Sequence, residues 1–243
     1  MRNSPTPIHS KNQELEILFE DNHTIVINKR PSDIVQGDKT GDETLPDKIK
    51  AYLKEKYNKP GNVFCGVVHR LDRPTSGAVV FARTSKALER INKQFREKET
   101  NKTYWAIVDS LPELKTGNLL HWLKKNEKQN KSYSVTSTTP GAKEAKLRYR
   151  VLSSSDNYHL LEVSLETGRH HQIRCQLAQI GCHIKGDVKY GANRANKDAS
   201  IHLHARELIY NHPTNQEEIK IVAPVPNEAL WRFFEGEVNG KKK

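Results

Sequence analysis

The residues whose types and spacing could do chemistry are concentrated in residues 66–77, Gly-Val-Val-His-Arg-Leu-Asp-Arg-Pro-Thr-Ser-Gly. Asp72 stands there between two arginines, Arg70 and Arg73. Arginine keeps its charge in proteins and a nearby cation favours ionised aspartate, so Asp72 is expected as a carboxylate at neutral pH. A presented carboxylate can act as nucleophile or as base. By residue type alone it can equally be half of a loop ion pair that steadies a turn, and structural pairs outnumber catalytic ones. A second concentration of functional groups is Glu-Thr-Gly-Arg-His-His-Gln-Ile-Arg at residues 166–174. His171, Cys175, Cys182 and His183 offer nitrogen and sulfur ligands, but they contain no Cys-x-x-Cys pair and fit no common zinc spacing. No metal site is expected, and Cys175 reads as a small core residue.

These groups need rigid elements beneath them. Residues 63–68 read as a buried strand entering the Asp72 loop. Pro74 biases Arg73 away from helical angles, and Gly77 opens the apolar run of the strand that leaves. Before it, residues 15–19 and 24–28 read as a hairpin and 45–57 as a helix. After it, residues 85–97 read as a helix with Ser85 as N-cap and Leu88, Ile91 and Phe95 on one face. Residues 101–108 read as a strand. The lysine-rich stretch 114–131, with Trp122 inside it, reads either as a solvated loop or as an RNA-facing surface.

Ala145, Leu147, Tyr149 and Val151 alternate with Lys146, Arg148 and Arg150, the pattern of a half-buried strand whose cations face solvent or phosphate, and 161–166 is its expected antiparallel partner. A helix with the stripe Ile173, Leu177 and Ile180 starts after Gly168, and its first turn offers free N–H groups to an anion. A tight turn at 186–191, a hairpin over 201–222 and a helix over 226–234 complete the reading. Residues 1–14 are expected to be a loose lead-in, 15–235 one domain, and 236–243 a basic tail.

The chain has 243 residues, with 40 Lys and Arg against 29 Asp and Glu, a net charge of +11. A folded chain this basic points to a polyanionic partner, nucleic acid above all. No run of 18 apolar residues and no signal-peptide core is present, so no membrane role is expected. Three cysteines are too few and too odd for a disulfide framework, and a cytoplasmic location is expected. No nucleotide-binding glycine motif is present.

His-Arg-Leu-Asp-x-x-Thr-Ser-Gly at 69–77 resembles the active-site motif of RluA-type RNA pseudouridine synthases. Lys102-x-Tyr104-x-Ala106-x-Val108 resembles that family's second motif, and Thr-Gly-Arg-x-His-Gln-Ile-Arg at 167–174 its third. Gly-Asp-x-x-Tyr-Gly at 186–191 is also similar. Two departures are His170, where threonine or serine is usual, and Gln176, where histidine is common. The resemblance implies an α+β fold, a mixed and largely antiparallel bent sheet flanked by helices, with the site in a central cleft. It implies that Asp72 is the indispensable catalytic residue, that Arg174 forms a salt bridge with it, and that Tyr104 lies against the target base. Arg70 would occupy the space vacated by the flipped nucleotide. The expected RNA contacts are His69, Arg70, Leu71, Arg73, Arg169, His171 and Ile173.

The implied activity is isomerisation of uridine to pseudouridine in ribosomal RNA of the large subunit, or alternatively in transfer RNA, by a monomer that needs no cofactor. The separate RNA-binding domain that many relatives carry at the N-terminus has no room here and is expected to be absent. Two rivals share some of the features. A non-catalytic RNA-binding or ribosome-assembly protein would share the charge without needing Asp72. A nucleoside or glycoside hydrolase would need two carboxylates around the scissile bond, and the motif supplies one.

Overall fold

The computed structural model describes residues 15–37 and 41–240. The expected lead-in, 1–14, and the last three residues of the expected tail, 241–243, lie outside the described residues. Strand β1 (Ile17–Glu20) turns into β2 (Thr24–Lys29), where the Asp21 carboxylate accepts from the His23 and Thr24 N–H groups at 2.8 and 2.6 Å. Helix α1 (Leu45–Lys56) begins with a capping box between Thr44 and Asp47. Strands β3 (Gly66–Val67) and β4 (Ser76–Ala82) flank the Asp72 loop. Then come α2 (Ser85–Glu97), β5 (Asn101–Val108), β6 (Thr116–Asn126), β7 (Lys131–Val135), β8 (Lys143–Ser154) and β9 (His159–Leu165). Helix α3 (Gln172–Gln179), a 3-10 turn (Val188–Tyr190), β10 (Leu203–Asn211), β11 (Glu218–Val222) and α4 (Ala229–Gly240) complete the chain.

The strands form one open sheet in the order β1-β2-β4-β10-β5-β9-β8-β6-β7, with β3 on β4 and β11 on β10. Among the described strands, β4 and β10 are the parallel pair and the other pairs are antiparallel. The middle of the sheet is covered on both faces. Val79 and Phe81 of β4 join a core with Leu45, Ile49 and Leu53 of α1 and Ile173 and Leu177 of α3. Ala78 and Val80 face the other way, onto a cluster that includes Phe95 of α2. Trp231 and Phe234 of α4 cover Trp105, Ile107 and Leu160 on that second face. Strands buried on both faces read as continuous apolar runs, which is why β4 shows no alternation.

Several expectations are corrected. The strand expected over 63–68 pairs only at Gly66–Val67, because β10 takes the Ser76–Gly77 half of that edge of β4 and leaves only Phe81–Ala82 to β3. Helix α2 is capped by Thr84, whose hydroxyl accepts from Ala87 N–H at 3.1 Å, so Ser85 is its first residue. The lysine-rich stretch is the long β6–β7 hairpin. Leu119, Leu120, Trp122 and Leu123 put apolar residues on both faces of β6 and mask the period of two. The last helix runs to Gly240, so residues 236–240 of the expected tail are helical. The three cations of β8 sit beside glutamates: Lys146 with Glu144 at 3.0 Å, Arg148 with Glu166 at 2.8 Å and Arg150 with Glu162 at 2.6 Å.

Candidate active site

The Asp72 loop is pinned at each carbonyl from Asp72 to Thr75. Asp72 O accepts from Thr75 N–H at 3.0 Å, Arg73 O from Ser32 N–H at 3.0 Å, and Pro74 O from Ile201 N–H at 3.1 Å. Lys29, the last residue of β2, reaches under the loop and donates to Arg30 O at 2.9 Å, Arg73 O at 3.0 Å and Thr75 O at 2.7 Å. Three carbonyls match the three donors of an ammonium group. Burial pushes that ammonium down, to about 7, while Asp33 and Asp72 hold it up. Behind the loop, Ser76 Oγ lies 2.8 Å from His204 Nδ1, and His204 Nε2 lies 3.2 Å from the Ala223 carbonyl. A carbonyl only accepts, so Nε2 carries the proton and Ser76 donates to Nδ1. At Gly77, φ is +115°, and a Cβ would sit 2.4 Å from Ala205 O; the close β4–β10 pairing that roots the loop requires glycine.

The loop holds Asp72 partly exposed, 30% by side chain, with Oδ2 3.2 Å from Arg174 Nη1. Arg174 comes from the inward face of α3, 102 residues away, and is itself buried. Its Nε and Nη2 donate to the two oxygens of Asp187 at 2.6 and 2.7 Å, a fork-to-fork pair. Burial opposes the guanidinium charge, but Asp187 and Asp72 more than offset it and hold the proton more tightly than usual. Helix α3 is locked in turn: Gln172 accepts from Thr167 Oγ1 at 2.8 Å and Arg169 N–H at 2.9 Å. Gln176 donates to Leu119 O and Ala145 O. The departure at Gln176 is thus absorbed as a tie between α3 and strands β6 and β8.

Asp72 lies in an open groove of about 1370 Å³ that runs between the β3–β4 loop, the start of β5 and the approach to α3. Among the described residues, nine basic side chains line it against two acidic ones, Asp72 and Glu166. Tyr104 of β5 lines it too. Burial, and then the negative charge of Asp72, push its phenol up, so it stays protonated at neutral pH. Lys102 lies 5.2 Å from the centre of the Phe95 ring, and burial lowers its pKa.

The sequence-expected residues divide. Asp72, Arg174 and Tyr104 meet at the groove. Arg70 and Arg73 lie exposed on its rim, the first donating to Gln36 and the second paired with Asp42 at 2.7 Å. Arg169 also lies exposed and donates to Glu144 O at 2.9 Å. Leu71 and Ile173, expected at the RNA, pack into the main core, which takes their apolar area from water, and Leu71 also lines the groove. His69 lines the groove wall; its ring stacks on Phe95 at 4.9 Å and its Nε2 accepts from Val80 N–H at 3.2 Å. Burial pushes that ring down, to about 3, so it anchors the loop as a neutral group. His171 is largely buried yet lines the groove, with Nε2 3.0 Å from Arg174 Nη1.

Three participants escaped residue-level reading. Lys29 looked like part of a polar turn. Asp187 and Tyr190 sit in the family-like turn at 186–191, and that resemblance was their signal, but their partners are set only by the fold.

A family model described as RNA pseudouridylate synthase matches residues 23–179. A ribosomal large subunit pseudouridine synthase D of Zymomonas mobilis is 33% identical over 242 residues, covering 94% of this chain and 75% of that one. An uncharacterized RNA pseudouridine synthase of Synechocystis is 33% identical over 226 residues, covering 91% and 69%. Among solved structures, human RNA pseudouridylate synthase domain containing 4 superposes with a TM-score of 0.74 at 25% identity, covering 92% of each chain.

Proposed function

The chain belongs to the RNA pseudouridylate synthase family, and from that premise we propose that Asp72 is the carboxylate with which it isomerises uridine to pseudouridine in large-subunit ribosomal RNA. The observation that carries this reading is a partly exposed carboxylate, held 3.2 Å from a buried arginine, in a groove lined mainly by cations. The activity is an isomerisation. The N1–C1′ bond breaks, the ring turns, C5 joins C1′, the C5 proton leaves and N1 gains one. No electron or phosphoryl group is exchanged, so the balance calls for no redox or phosphoryl cofactor.

Asp72 is suited to act at the ring or at the sugar as nucleophile or base, next to a centre that becomes electron-poor. Tyr104, uncharged beside it, gives the extruded base a surface. Extrusion costs a few kcal/mol, least where the base is already unpaired. Arg70, exposed at the rim, is suited to fill the space the nucleotide leaves. The groove cations supply phosphate contacts, so binding should weaken steeply with salt. The named relatives that act on the large ribosomal subunit support that substrate over transfer RNA. The reading is completed by action as a monomer in the cytoplasm.

Transcripts tritiated at uracil C5 should release label to water with the wild-type protein and lose all detectable release with Asp72→Asn. Folded wild-type protein that releases nothing from ribosomal or transfer RNA would overturn the assignment. Mapping pseudouridines in cells with and without the gene identifies the target position.

A further inference from the structure

Arg174 meets Asp72 through one nitrogen, Nη1, and that nitrogen has a second neighbour. His171 Nε2 lies 3.0 Å from it. Arginine N–H groups only donate, so Nε2 must be the bare, accepting nitrogen of a neutral ring. The ring proton then sits on Nδ1, 3.0 Å from the Tyr190 hydroxyl. That hydroxyl also accepts from Ser132 N–H at 2.9 Å and gives its own proton to the Ser132 carbonyl at 3.0 Å. Along Ser132, Tyr190, His171, Arg174 and Asp72, every donor faces an acceptor. The other tautomer would aim an N–H at an arginine N–H.

We propose that His171 and Tyr190 are positioning residues for the isomerisation: Tyr190 fixes the imidazole as an acceptor, and the imidazole fixes Arg174 Nη1 against Asp72, which aims the carboxylate. The inference rests on the reading of Asp72 as the reactive group.

Two further observations support it. His171 adopts a left-handed backbone, φ 54°, at the start of α3 and makes no side-chain capping bond there. Residues held in sparsely populated conformations collect at functional sites, and here the conformation turns the ring toward Arg174 instead of toward the helix end. His171 Nε2 is also 3.5 Å from Asp72 Oδ2. A protonated ring at that distance would compete with Arg174 for the carboxylate. Burial, and then Arg174, His170 stacked at 3.8 Å, Lys189 and Lys125, push it down, to about 2.

The test compares His171→Leu, His171→Gln and Tyr190→Phe in kcat, KM for a folded RNA transcript, and melting temperature. Leu and Gln are both unbranched at Cβ, so the left-handed backbone treats them alike, while only Gln offers an oxygen to Arg174. A misplacement of about 1 Å at a reacting group can cost a hundredfold, so His171→Leu should lower kcat by about a hundredfold with KM within about twofold of wild type. His171→Gln should recover about tenfold of that loss, and Tyr190→Phe should lose about tenfold in kcat. Equal kcat for Leu and Gln, or kcat of wild type in His171→Leu, overturns the inference. If His171→Leu does not fold, the other two variants decide it, and Tyr190→Phe at wild-type kcat overturns it. Wild-type protein that releases no tritium sinks the Asp72 reading and this inference together, whereas an active wild type with indifferent variants sinks the inference alone.

Discussion

The pair between Asp187 and Arg174 can be broken with almost no change of shape by Asp187→Asn. Asp187 is 1% exposed and grips Arg174 through bonds of 2.6 and 2.7 Å. Asparagine removes the charge and turns one accepting oxygen into an NH2 group that faces a guanidinium donor. Removing one partner of a buried ion pair costs about 3–5 kcal/mol. Asp72, already 3.2 Å from Nη1, can take up part of the unpaired charge, although its exposure lets water screen the pull. The lower end is therefore expected, about 3 kcal/mol, which for a chain of this size lowers Tm by roughly 6–12 °C. The freed guanidinium swings toward Asp72 and covers it, so kcat falls as well. Thermal denaturation followed by circular dichroism gives the first quantity and tritium release the second. A Tm within about 2 °C of wild type together with unchanged turnover would refute the claim that Asp187 holds Arg174 in place.

Gly77→Ala places a methyl group 2.4 Å from Ala205 O at a φ of +115°, and should cost about 4 kcal/mol or more, read as a urea midpoint; a loss under about 1 kcal/mol would show that β4 and β10 can separate freely. His69, His171 and His204 have folded pKa values lowered from 6.5 to about 3, 2 and 4. Below pH 6.5 the unfolded chain takes up protons that the folded chain refuses, so their contribution is complete above 6.5 and is lost as pH falls toward those values. By pH 5.5 each should cost about 1.4 kcal/mol, about 4 kcal/mol together, and equal urea stability at pH 7.5 and 5.5 would contradict it. Arg70→Ala should weaken RNA binding and lower the slope of log affinity against log salt by about 0.7–0.9; an unchanged slope would remove Arg70 from the phosphate contacts.

Elements that owe their form to local pattern were legible in the sequence. The alternation of Ala145, Leu147 and Tyr149 produced β8 with three outward cations, and the apolar spacing of residues 45–57 and 85–97 produced α1 and α2 to within a residue or so. The loop around Asp72 was legible because its proline, its glycine and its flanking apolar runs are local features, and the family resemblance singled out its carboxylate. β6 was missed because both of its faces carry apolar residues, so the period that marks a strand cancels.

By itself, then, the sequence determined the basic surface, most of the helices and strands, and, through its motifs, which carboxylate to suspect. Tertiary structure alone decided who touches that carboxylate. Lys29 under the loop, Asp187 behind Arg174 and Tyr190 behind His171 belong to segments 40 to 120 residues from Asp72 or outside its motif, and nothing in their local sequence specifies a partner. It also decided that Leu71 and Ile173 pack into the core and that His69 stacks on Phe95 at the groove wall, although each adjoins a charged residue of the groove. The physical reason is that strand register and helix rotation are set by burying apolar area across the whole sheet, and side chains of a polar site take whatever directions that packing leaves them.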